Sequence, residues 1–327
     1  MSRILHVDLS TGYRGGQRQL LLLVQEQQRQ GLDVQALCRS SQLRDRLGPA
    51  IAGAPTLWSV RRALRGAAVA HAHESRAHGL LATLGAQALV VHRRIDDPPR
   101  RRLTTRYKYQ SGMFVCVSDA ISQVLARSGV PQERRATVHS GVPIPSPQPQ
   151  ATRSGPLRAL CLGALVPHKG HEDLLIALAR TPTTLRLDFV GDGPLRRSLE
   201  RLAGADGTRF LGDPHGELPP FADYDVLIHP SRSEGLGTAV LDAQAAGLPV
   251  LATSAGGLPE SVAPSGWLVP PSDPGALADA VAALAALPRA EISRRGAEAR
   301  AWTASRFTVS RMERAIAEVY RQVESAA

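Results

Sequence analysis

The sequence predicts an α/β protein with two domains, each built on a parallel sheet covered by helices. Short apolar runs, each the length of one buried strand, alternate with amphipathic stretches of helix length through both halves. Residues 141–156 separate the halves and combine five prolines with few apolar side chains, a composition typical of an interdomain linker. The total of 327 residues gives room for two domains of ordinary size.

The order of these features predicts the domain boundaries. Residues 1–145 are expected to form an N-terminal Rossmann-like domain, 146–156 a Pro-rich linker, and 157–305 a second Rossmann-like domain. Residues 306–327 are expected to form a C-terminal helix that packs back on the N-terminal domain. Alternation of strands and helices favours two sandwiches that face each other across a cleft.

The individual elements follow from apolar runs, caps and glycine stops. The first half predicts strands at residues 3–9, 33–38, 68–71, 88–91 and 113–117, and helices at 17–30, 41–47 and 118–127. The second half predicts strands at residues 157–162, 186–190, 225–229, 250–252 and 266–269, with a further strand that ends at 212. Its helices are predicted at residues 171–179, up to 202, from 238 to the glycine at 247, and at 273–286, 289–305 and 308–324.

Positive charge is concentrated in the first half. Residues 1–150 contain 21 Lys and Arg against 9 Asp and Glu, whereas the remainder contains 18 against 20. This balance favours an anionic partner: nucleic acid, an anionic membrane surface or an acidic acceptor. Nucleic acid is disfavoured because basic strands with interleaved aromatics and a helix-turn-helix pattern are both missing. The segment 100–108 fits either a helix on lipid headgroups or an ordinary solvated face.

Composition excludes several other classes. No run of 18 apolar residues occurs, so no membrane span is predicted, and the N-terminus is too short and polar for a signal peptide. Cys38, Cys116 and Cys161 each lie in an apolar run without Cys-x-x-Cys spacing, which indicates reduced, buried thiols. We therefore expect a cytoplasmic protein, with the inner face of the plasma membrane as the place of any peripheral contact.

The stretch 225–253 carries the strongest chemical signal. It predicts a strand, the turn Ser233-Glu234-Gly235-Leu236-Gly237, a helix that Thr238 caps, and a second strand. A glycine turn at a helix N-terminus suits a phosphate, because unpaired N–H groups and the helix dipole both point at it. Glu234 and Asp242 would stand beside that phosphate and suit sugar or ribose hydroxyl groups.

Three other places carry candidate residues. Gly15 and Gly16 form a second glycine turn between a strand and a helix, but the three spaced glycines of a dinucleotide fingerprint are missing. His71-Ala72-His73 invites a zinc interpretation, yet the sequence shows no third or fourth ligand at a useful spacing. His92 ends a strand at the edge where parallel sheets bind ligands, followed by Arg93 and Arg94.

The motifs of residues 230–242, with their order along nearly the whole chain, resemble the retaining glycosyltransferases of family 4. The family signature is Pro-Ser-x-x-Glu-Gly-x-Gly followed by a second glutamate, and this chain has Asp242 at the second acidic position. The resemblance implies the two-domain GT-B fold, a nucleotide-diphosphate sugar as donor, and no metal or other cofactor. It also covers Gly191-Asp192-Gly193-Pro194, Ala255-Gly256-Gly257 and the Lys169-Gly170 pair.

The resemblance implies a role for each candidate residue. Glu234 would contact the donor sugar, Lys169 would hold the diphosphate and His92 would lie near it, so these three are the catalytic candidates. The implied donor or phosphate site comprises Gly15, Gly16, Lys169, Gly191, Gly193, Gly235, Leu236, Gly237, Thr238 and Asp242. The acceptor candidates are His73, Arg93 and Arg94. One departure matters: the family has an arginine beside its lysine, and here that position is Ala164.

Two functions from different classes follow. The first is a retaining glycosyltransferase that moves a sugar from a nucleotide-diphosphate sugar to a hydroxyl group, with a lipid-linked, lipopolysaccharide or other cell-envelope glycan as the preferred acceptor. The second is a GT-B nucleotide-binding or scaffold protein with weakened catalysis, which Ala164 and Asp242 favour. Small soluble acceptors and protein acceptors remain open alternatives.

Overall fold

The computed structural model describes residues 3–95, 108–147, 155–181, 185–204, 207–213 and 217–326. These residues form two compact units, one of residues 1–141 with 309–327 and one of residues 142–308. The boundaries predicted at 145 and 305 lie a few residues from these divisions. The basic segment predicted at 100–108, except Lys108, and most of the linker lie outside the described residues.

Each unit contains a parallel sheet, as the sequence predicts. Within the described residues, the first unit has the strand order β3-β2-β1-β4-β5-β6-β7 and the second has β10-β9-β8-β11-β12-β13. The first sheet comprises β1 Arg3–Asp8, β2 Val34–Cys38, β3 Ala52–Gly53, β4 Ala67–Ala72, β5 Leu89–Arg93, β6 Met113–Cys116 and β7 Arg135–Thr137. The second comprises β8 Arg158–Leu162, β9 Arg186–Val190, β10 Thr208–Phe210, β11 Val226–His229, β12 Val250–Thr253 and β13 Trp267–Val269.

Helices connect these strands. In chain order they are α1 Gly15–Arg29, α2 Ser41–Leu47, α3 Leu57–Arg65, α4 Ser75–Thr83, α5 Asp119–Arg127, α6 His171–Arg180, α7 Arg196–Ala203, α8 Thr238–Ala245, α9 Leu258–Ser261, α10 Pro274–Ala285, α11 Arg289–Arg306 and α12 Val309–Ser325. None of the described helices combines the length and the apolar composition that crossing a bilayer requires.

Apolar faces of these helices cover the sheets. In the first unit Leu20 and Val24 of α1 and Ile316 of α12 share one core with Val69 and Val90 of the sheet. The C-terminal helix therefore belongs to the core of the first unit. In the second unit α6 and α10 bury their apolar residues on one face, and α8 buries Val240 and Ala243 on the other.

One predicted helix start and one predicted helix cap are wrong. Helix α1 begins at Gly15, two residues before the predicted start, so both glycines lie in its first turn. Helix α8 begins at Thr238, and its N-cap is Gly237, with a left-handed φ of 86°. The prediction that Thr238 caps this helix is wrong, because the chain enters α8 through a conformation that favours glycine.

Candidate functional site

The loop that carries Lys169 is fixed by contact between two backbone segments. After β8 the chain passes through a 3₁₀ turn, Pro167–Lys169, to Gly170, which precedes α6. Gly170 has a φ of +66°, and a Cβ there would lie 2.0 Å from the carbonyl oxygen of Pro230. Only glycine permits that approach. The loops after β8 and β11 therefore pack directly on each other.

Arg232 joins the same two loops. Its backbone N–H donates to the carbonyl oxygen of His168 at 2.8 Å. Its guanidinium forms a bidentate ion pair with Asp173 of α6, with N···O distances of 2.7 and 2.6 Å. Asp173 is only 6% exposed while Arg232 is exposed, and the two charge-assisted hydrogen bonds between them give the loops a fixed relative position.

Glu234 lies at the centre of a charged cluster. Its Oε2 forms an ion pair with the Lys169 ammonium, and it lies 3.0 Å from His229 Nε2 and 3.4 Å from Ser231 Oγ. Burial by itself would raise the pKa of Glu234, but the Lys169 charge and the His229 hydrogen bond outweigh it and hold the pKa well below its usual range. Glu234 is therefore ionised at neutral pH.

His229 holds that carboxylate as a neutral ring. Burial lowers the pKa of His229, against the opposing effect of Glu234. A carboxylate oxygen can only accept, so the neutral imidazole carries its proton on Nε2 and donates it to Glu234. Ser231 Oγ lies 3.1 Å from the same nitrogen. Two side chains from the end of β11 thus fix the direction in which Glu234 points.

The glycine turn before α8 has the tight geometry that its sequence predicts. A Cβ on Gly256 would lie 2.0 Å from the carbonyl oxygen of Glu234, and a Cβ on Gly237 would lie 2.6 Å from Leu258 Cδ2. The N–H of Gly257 donates to that same Glu234 carbonyl at 3.1 Å. The turn of residues 255–257 therefore packs against the backbone of Glu234 and fixes its position.

The first turn of α8 follows directly from this loop. Among the described residues, no side chain caps this helix, so its N-terminus keeps the positive end of the helix dipole at the loop. Asp242 lies just over one turn into the same helix and is 6% exposed. The structure thus brings Lys169, Glu234 and residues 235–238 together and places Asp242 on the adjoining helix.

The two predicted glycines that follow β9 have a packing role. A Cβ on Gly191 would lie 2.0 Å from the carbonyl oxygen of Gly163, and one on Gly193 would lie 2.5 Å from that of Leu165. The turns after β8 and β9 are therefore in direct backbone contact around Ala164. Their predicted role at a nucleotide pocket stays a prediction, since close packing alone requires both glycines.

The glycine turn of the first unit is more open. A Cβ on Gly16 would meet Arg94 Cδ at 3.6 Å, an ordinary contact distance. Gln17 lies beside it and donates from Nε2 to Asp8 Oδ2 at 3.1 Å. Burial lowers the pKa of Arg94 to about 10, against the opposing effect of Asp8. The structure thus places one buried guanidinium next to the first turn of α1.

Neutral histidines orient that guanidinium. Arg94 Nη2 lies 3.1 Å from His73 Nδ1, His73 Nε2 lies 2.9 Å from His6 Nδ1, and His6 Nε2 lies 2.8 Å from Gln27 Oε1. Arginine can only donate and the amide oxygen can only accept, so each ring carries its proton on Nε2. Burial lowers the pKa of His6 to about 4 and that of His73 well below its usual value. The neutral residues His73, His6 and Gln27 therefore form a fixed sequence of donors and acceptors that ends at the Arg94 cation.

His71 and His92 complete the histidine cluster. Their rings stack with centroids 5.3 Å apart, and His71 Nδ1 lies 2.6 Å from the hydroxyl oxygen of Tyr320 on α12. Burial lowers the pKa of both histidines well below the usual value. His92 and His73 of the prediction therefore lie together, with centroids 5.7 Å apart.

The cluster corrects one interpretation of the sequence. Ring nitrogens of His6, His71 and His73 lie within 4.8 Å of one another, so the inference that His71 and His73 have no third partner is wrong. Sequence spacing could not show this, because His6 comes from β1, which pairs with β4. In the structure His6 and His73 are hydrogen-bonded to each other, and the adjacent Arg94 charge opposes a cation. The absence of a metal requirement stays a prediction.

Arg93 and Arg94 point to different surroundings. Arg94 also donates to the backbone carbonyl of His73 at 2.9 Å, whereas Arg93 Nη1 lies 3.5 Å from the hydroxyl oxygen of Tyr109. Consecutive residues at a strand end alternate in direction, which accounts for the separation. The structure thus groups His73 with Arg94 and leaves Arg93 apart from them.

Comparison with known proteins fits this geometry. The family model described as glycosyl transferases group 1 matches residues 156–286, which include Lys169, Glu234 and Asp242. The putative colanic acid biosynthesis glycosyltransferase WcaL of Escherichia coli is 29% identical over 204 residues, which are 55% of this chain and 49% of that protein. Residues 156–286, which make up most of the second unit, thus match the group 1 glycosyl transferases. The predicted family resemblance is confirmed at this level.

Another relative is mycobacterial. The GDP-mannose-dependent alpha-(1-6)-phosphatidylinositol monomannoside mannosyltransferase of Mycolicibacterium smegmatis is 37% identical over 149 residues, which are 40% of this chain and 39% of that protein. The chain thus matches half or less of the length of both curated relatives.

Solved structures of other proteins share the fold of this chain. The structure of HepE from Anabaena in complex with UDP has a TM-score of 0.77 with this protein at 20% sequence identity, and the match covers 98% of this chain and 100% of that chain. At this identity the likeness concerns the fold, and it confirms the predicted GT-B class.

Sequence reasoning missed the residues that support Glu234. His229, Ser231 and Arg232 lie inside the stretch 225–253, yet only their neighbours were assigned roles. The strand-end position that singled out His92 applies equally to His229 at the end of β11, so the signal was present. His6 and Gln27 gave no such signal, because their role depends on how distant strands and helices pack.

Proposed function

We propose that the protein is a retaining glycosyltransferase that moves a sugar from a nucleotide-diphosphate sugar to a hydroxyl group of a cell-envelope glycan or glycolipid. One observation carries the proposal. An ionised Glu234, a Lys169 ammonium and the N-terminus of α8 meet at one glycine turn of the second unit. Family membership of that unit supports it further.

The chemistry follows from the charges. Lys169 and the N-terminal amides of α8 would bind the diphosphate and stabilise its negative charge as the bond to the sugar breaks. Glu234, which only accepts hydrogen bonds, would hold sugar hydroxyl groups, and Asp242 would hold those of the ribose. These groups neutralise the diphosphate without a metal ion, so we propose that no cofactor is needed.

We propose that transfer proceeds without a covalent intermediate. Lys169 and His229 both donate hydrogen bonds to Glu234 Oε2 and fix the carboxylate as an acceptor for sugar hydroxyl groups. The resemblance to family 4 implies the same displacement without a glycosyl-enzyme intermediate. Retention would then result from attack of the acceptor on the face from which the diphosphate leaves.

The first unit would bind the acceptor. Arg94, held by His73 beside Gly16, is the candidate contact for an anionic group, and His92 remains the candidate near the donor phosphate. The two curated relatives are named for colanic acid biosynthesis and for a phosphatidylinositol mannoside. They support an envelope acceptor and a peripheral position at the inner face of the plasma membrane.

The test is a panel of UDP-, GDP- and ADP-sugars incubated with purified protein, with and without membrane extract. We expect slow release of nucleoside diphosphate from one donor, faster release with extract, and loss of release in Glu234→Ala. His139→Gln, a change at a partly buried histidine of the first unit, serves as the control. No binding of any donor would exclude the assignment of the site.

Ala164 supports the alternative of a nucleotide-binding protein with weakened catalysis. The lysine of a two-cation clamp is present and its arginine is missing. If Ala164→Arg raises the rate of donor hydrolysis, the chain is an enzyme with an incomplete clamp. Tight donor binding without any release, in both proteins, would favour the binding function.

A further inference from the structure

Helix α3 presents an unusual surface on the first unit. Leu57 and Trp58 are 59% and 69% exposed, the two largest values among the large apolar side chains described. Arg61, Arg62 and Arg65 are exposed on the same helix. At about 100° per residue these five side chains occupy one arc of roughly 140°. The helix contains no acidic residue.

Folding of the unit does not require this surface. Thr56 caps the helix, with Ser59 completing a reciprocal capping box, and Val60 and Ala63 bury its inner face. The exposed arc therefore contributes little to the core, yet it keeps a tryptophan in water. Exposed apolar side chains grouped in this way mark interaction surfaces.

A hollow lies beside the same arc. Its volume is about 280 Å³, and Arg3, Gln35, Trp58, Ser59, Arg62 and Ala63 line it. Arg3 pairs with Asp33 at 3.1 Å, and the Arg62 guanidinium lies 5.3 Å from the centre of the Trp58 ring. The hollow thus has a cation and an aromatic ring at one rim and is large enough for a phosphate group.

We propose that the exposed face of α3, with this hollow, docks the protein on an anionic lipid bilayer. Leu57 and Trp58 would enter the boundary between headgroups and acyl chains, where tryptophan is favoured. The arginines would lie among lipid phosphates, and the hollow would take one phosphate. The mixture of apolar and cationic side chains favours a bilayer over nucleic acid, whose backbone offers no apolar layer for Leu57.

The inference rests on the peripheral membrane position of the proposed function but not on sugar transfer, because docking is measured without a sugar donor. Helix α7 of the second unit provides a matched control. It exposes Arg197, Arg201 and Leu202, but Glu200 lies among them and the helix has no aromatic residue. A surface that bound lipid through general basicity alone would give both helices equal importance.

The experiment is co-sedimentation of the full chain with phosphatidylcholine vesicles that contain or lack phosphatidylglycerol. We expect binding only with phosphatidylglycerol, and a loss of at least tenfold in Trp58→Ser/Arg62→Gln, since each basic residue near the surface contributes about fivefold. Leu202→Ser/Arg201→Gln should change binding by less than about twofold.

Tryptophan fluorescence adds a second measurement. Vesicles with phosphatidylglycerol should shift the emission to the blue in the wild type and leave it unchanged in Trp58→Phe. If the double variant fails to fold by circular dichroism, the single exposed change Arg65→Glu replaces it. The proposal would be overturned if the wild type and the α3 variant bound vesicles equally, or if binding did not depend on phosphatidylglycerol. It would also be overturned if RNA displaced the vesicles from Trp58.

Discussion

Polar clusters at the strand ends of the two sheets are stabilised in opposite ways. In the second unit, Glu234 and Lys169 are both charged, and neutral His229 fixes their geometry. In the first unit, neutral histidines are joined by hydrogen bonds and hold a single cation, Arg94. If the proposed function is correct, a bound diphosphate replaces Glu234 as the partner of Lys169 in the charged cluster. The neutral cluster is suited to keep one side chain in place.

The two units also differ in how closely their glycines are packed. Gly170, Gly191 and Gly256 of the second unit sit where a Cβ would collide with a carbonyl oxygen at 2.0 Å. Gly16 of the first unit has room for a Cβ. The loops of the second unit are thus packed to a fixed shape, whereas the turn of the first leaves its surface open to a ligand.

The largest effect is expected for Glu234→Gln. Release of nucleoside diphosphate from the donor should fall by about 10²–10³, because a charged acceptor for the sugar is lost. Affinity for free nucleoside diphosphate should not fall, since Lys169 loses its competing partner. Steady-state rates and calorimetry measure the two quantities, with Glu200→Gln as the control. A parallel loss of rate and affinity would contradict this account.

A large loss of stability is expected for Gly256→Ala. The residue has a φ of +53°, and the new Cβ would lie 2.0 Å from the Glu234 carbonyl oxygen. The free energy of unfolding should fall by about 3–4 kcal/mol. Urea denaturation measures it, and a change below about 1 kcal/mol would show that the contact between the two turns is not rigid.

Acid should weaken the histidine cluster. Burial lowers the pKa of His6 from 6.5 to about 4, so below pH 6.5 the unfolded chain binds a proton that the folded chain does not. Stability is therefore complete above about pH 6.5 and is lost as the pH falls towards 4. His6 alone should lower the free energy of unfolding by about 2 kcal/mol between about pH 7.5 and pH 5.

The variant His6→Gln isolates this contribution. His171 and His229 of the second unit also have pKa values lowered by burial, so the wild-type curve alone sums several groups. Denaturation at both pH values measures how far the free energy of unfolding falls with pH. We expect a smaller fall in His6→Gln than in the wild type, and the same fall in His139→Gln as in the wild type. An equal pH dependence in all three proteins would show that His6 is protonated in the folded state.

The smallest effect on stability is expected for Gly16→Ala. The position is helical and its new Cβ makes only an ordinary contact with Arg94. Alanine should change the free energy of unfolding by less than about 1 kcal/mol, in the stabilising direction. Thermal denaturation measures it. A clear destabilisation would show that this turn, like those of the second unit, is closed by packing.

Local sequence predicted most of the architecture and the position of the charged site. Strand-length apolar runs gave both parallel sheets, and the glycine turns marked the loops at their ends. Glu234 and its turn were found because their signal is contiguous. Contacts of long range were not predictable from local sequence: His71 meets Tyr320, 249 residues later, and His6 meets His73, 67 residues later. Only the family resemblance placed Lys169 with Glu234. Such pairs depend on strand order and helix packing, which no single segment records.

Calorimetric titration of UDP and GDP into wild type, Lys169→Met and Arg180→Met tests whether the second unit holds a nucleotide diphosphate at the Lys169–Glu234 site. Arg180 is an exposed cation on α6, the helix that follows Lys169. We expect one of the two nucleotides to bind to the wild type. Lys169→Met should weaken its affinity about 10–100-fold through loss of a charge-assisted hydrogen bond, and Arg180→Met should leave the affinity unchanged. Equal affinity in all three proteins would contradict the assignment of Lys169 to the diphosphate.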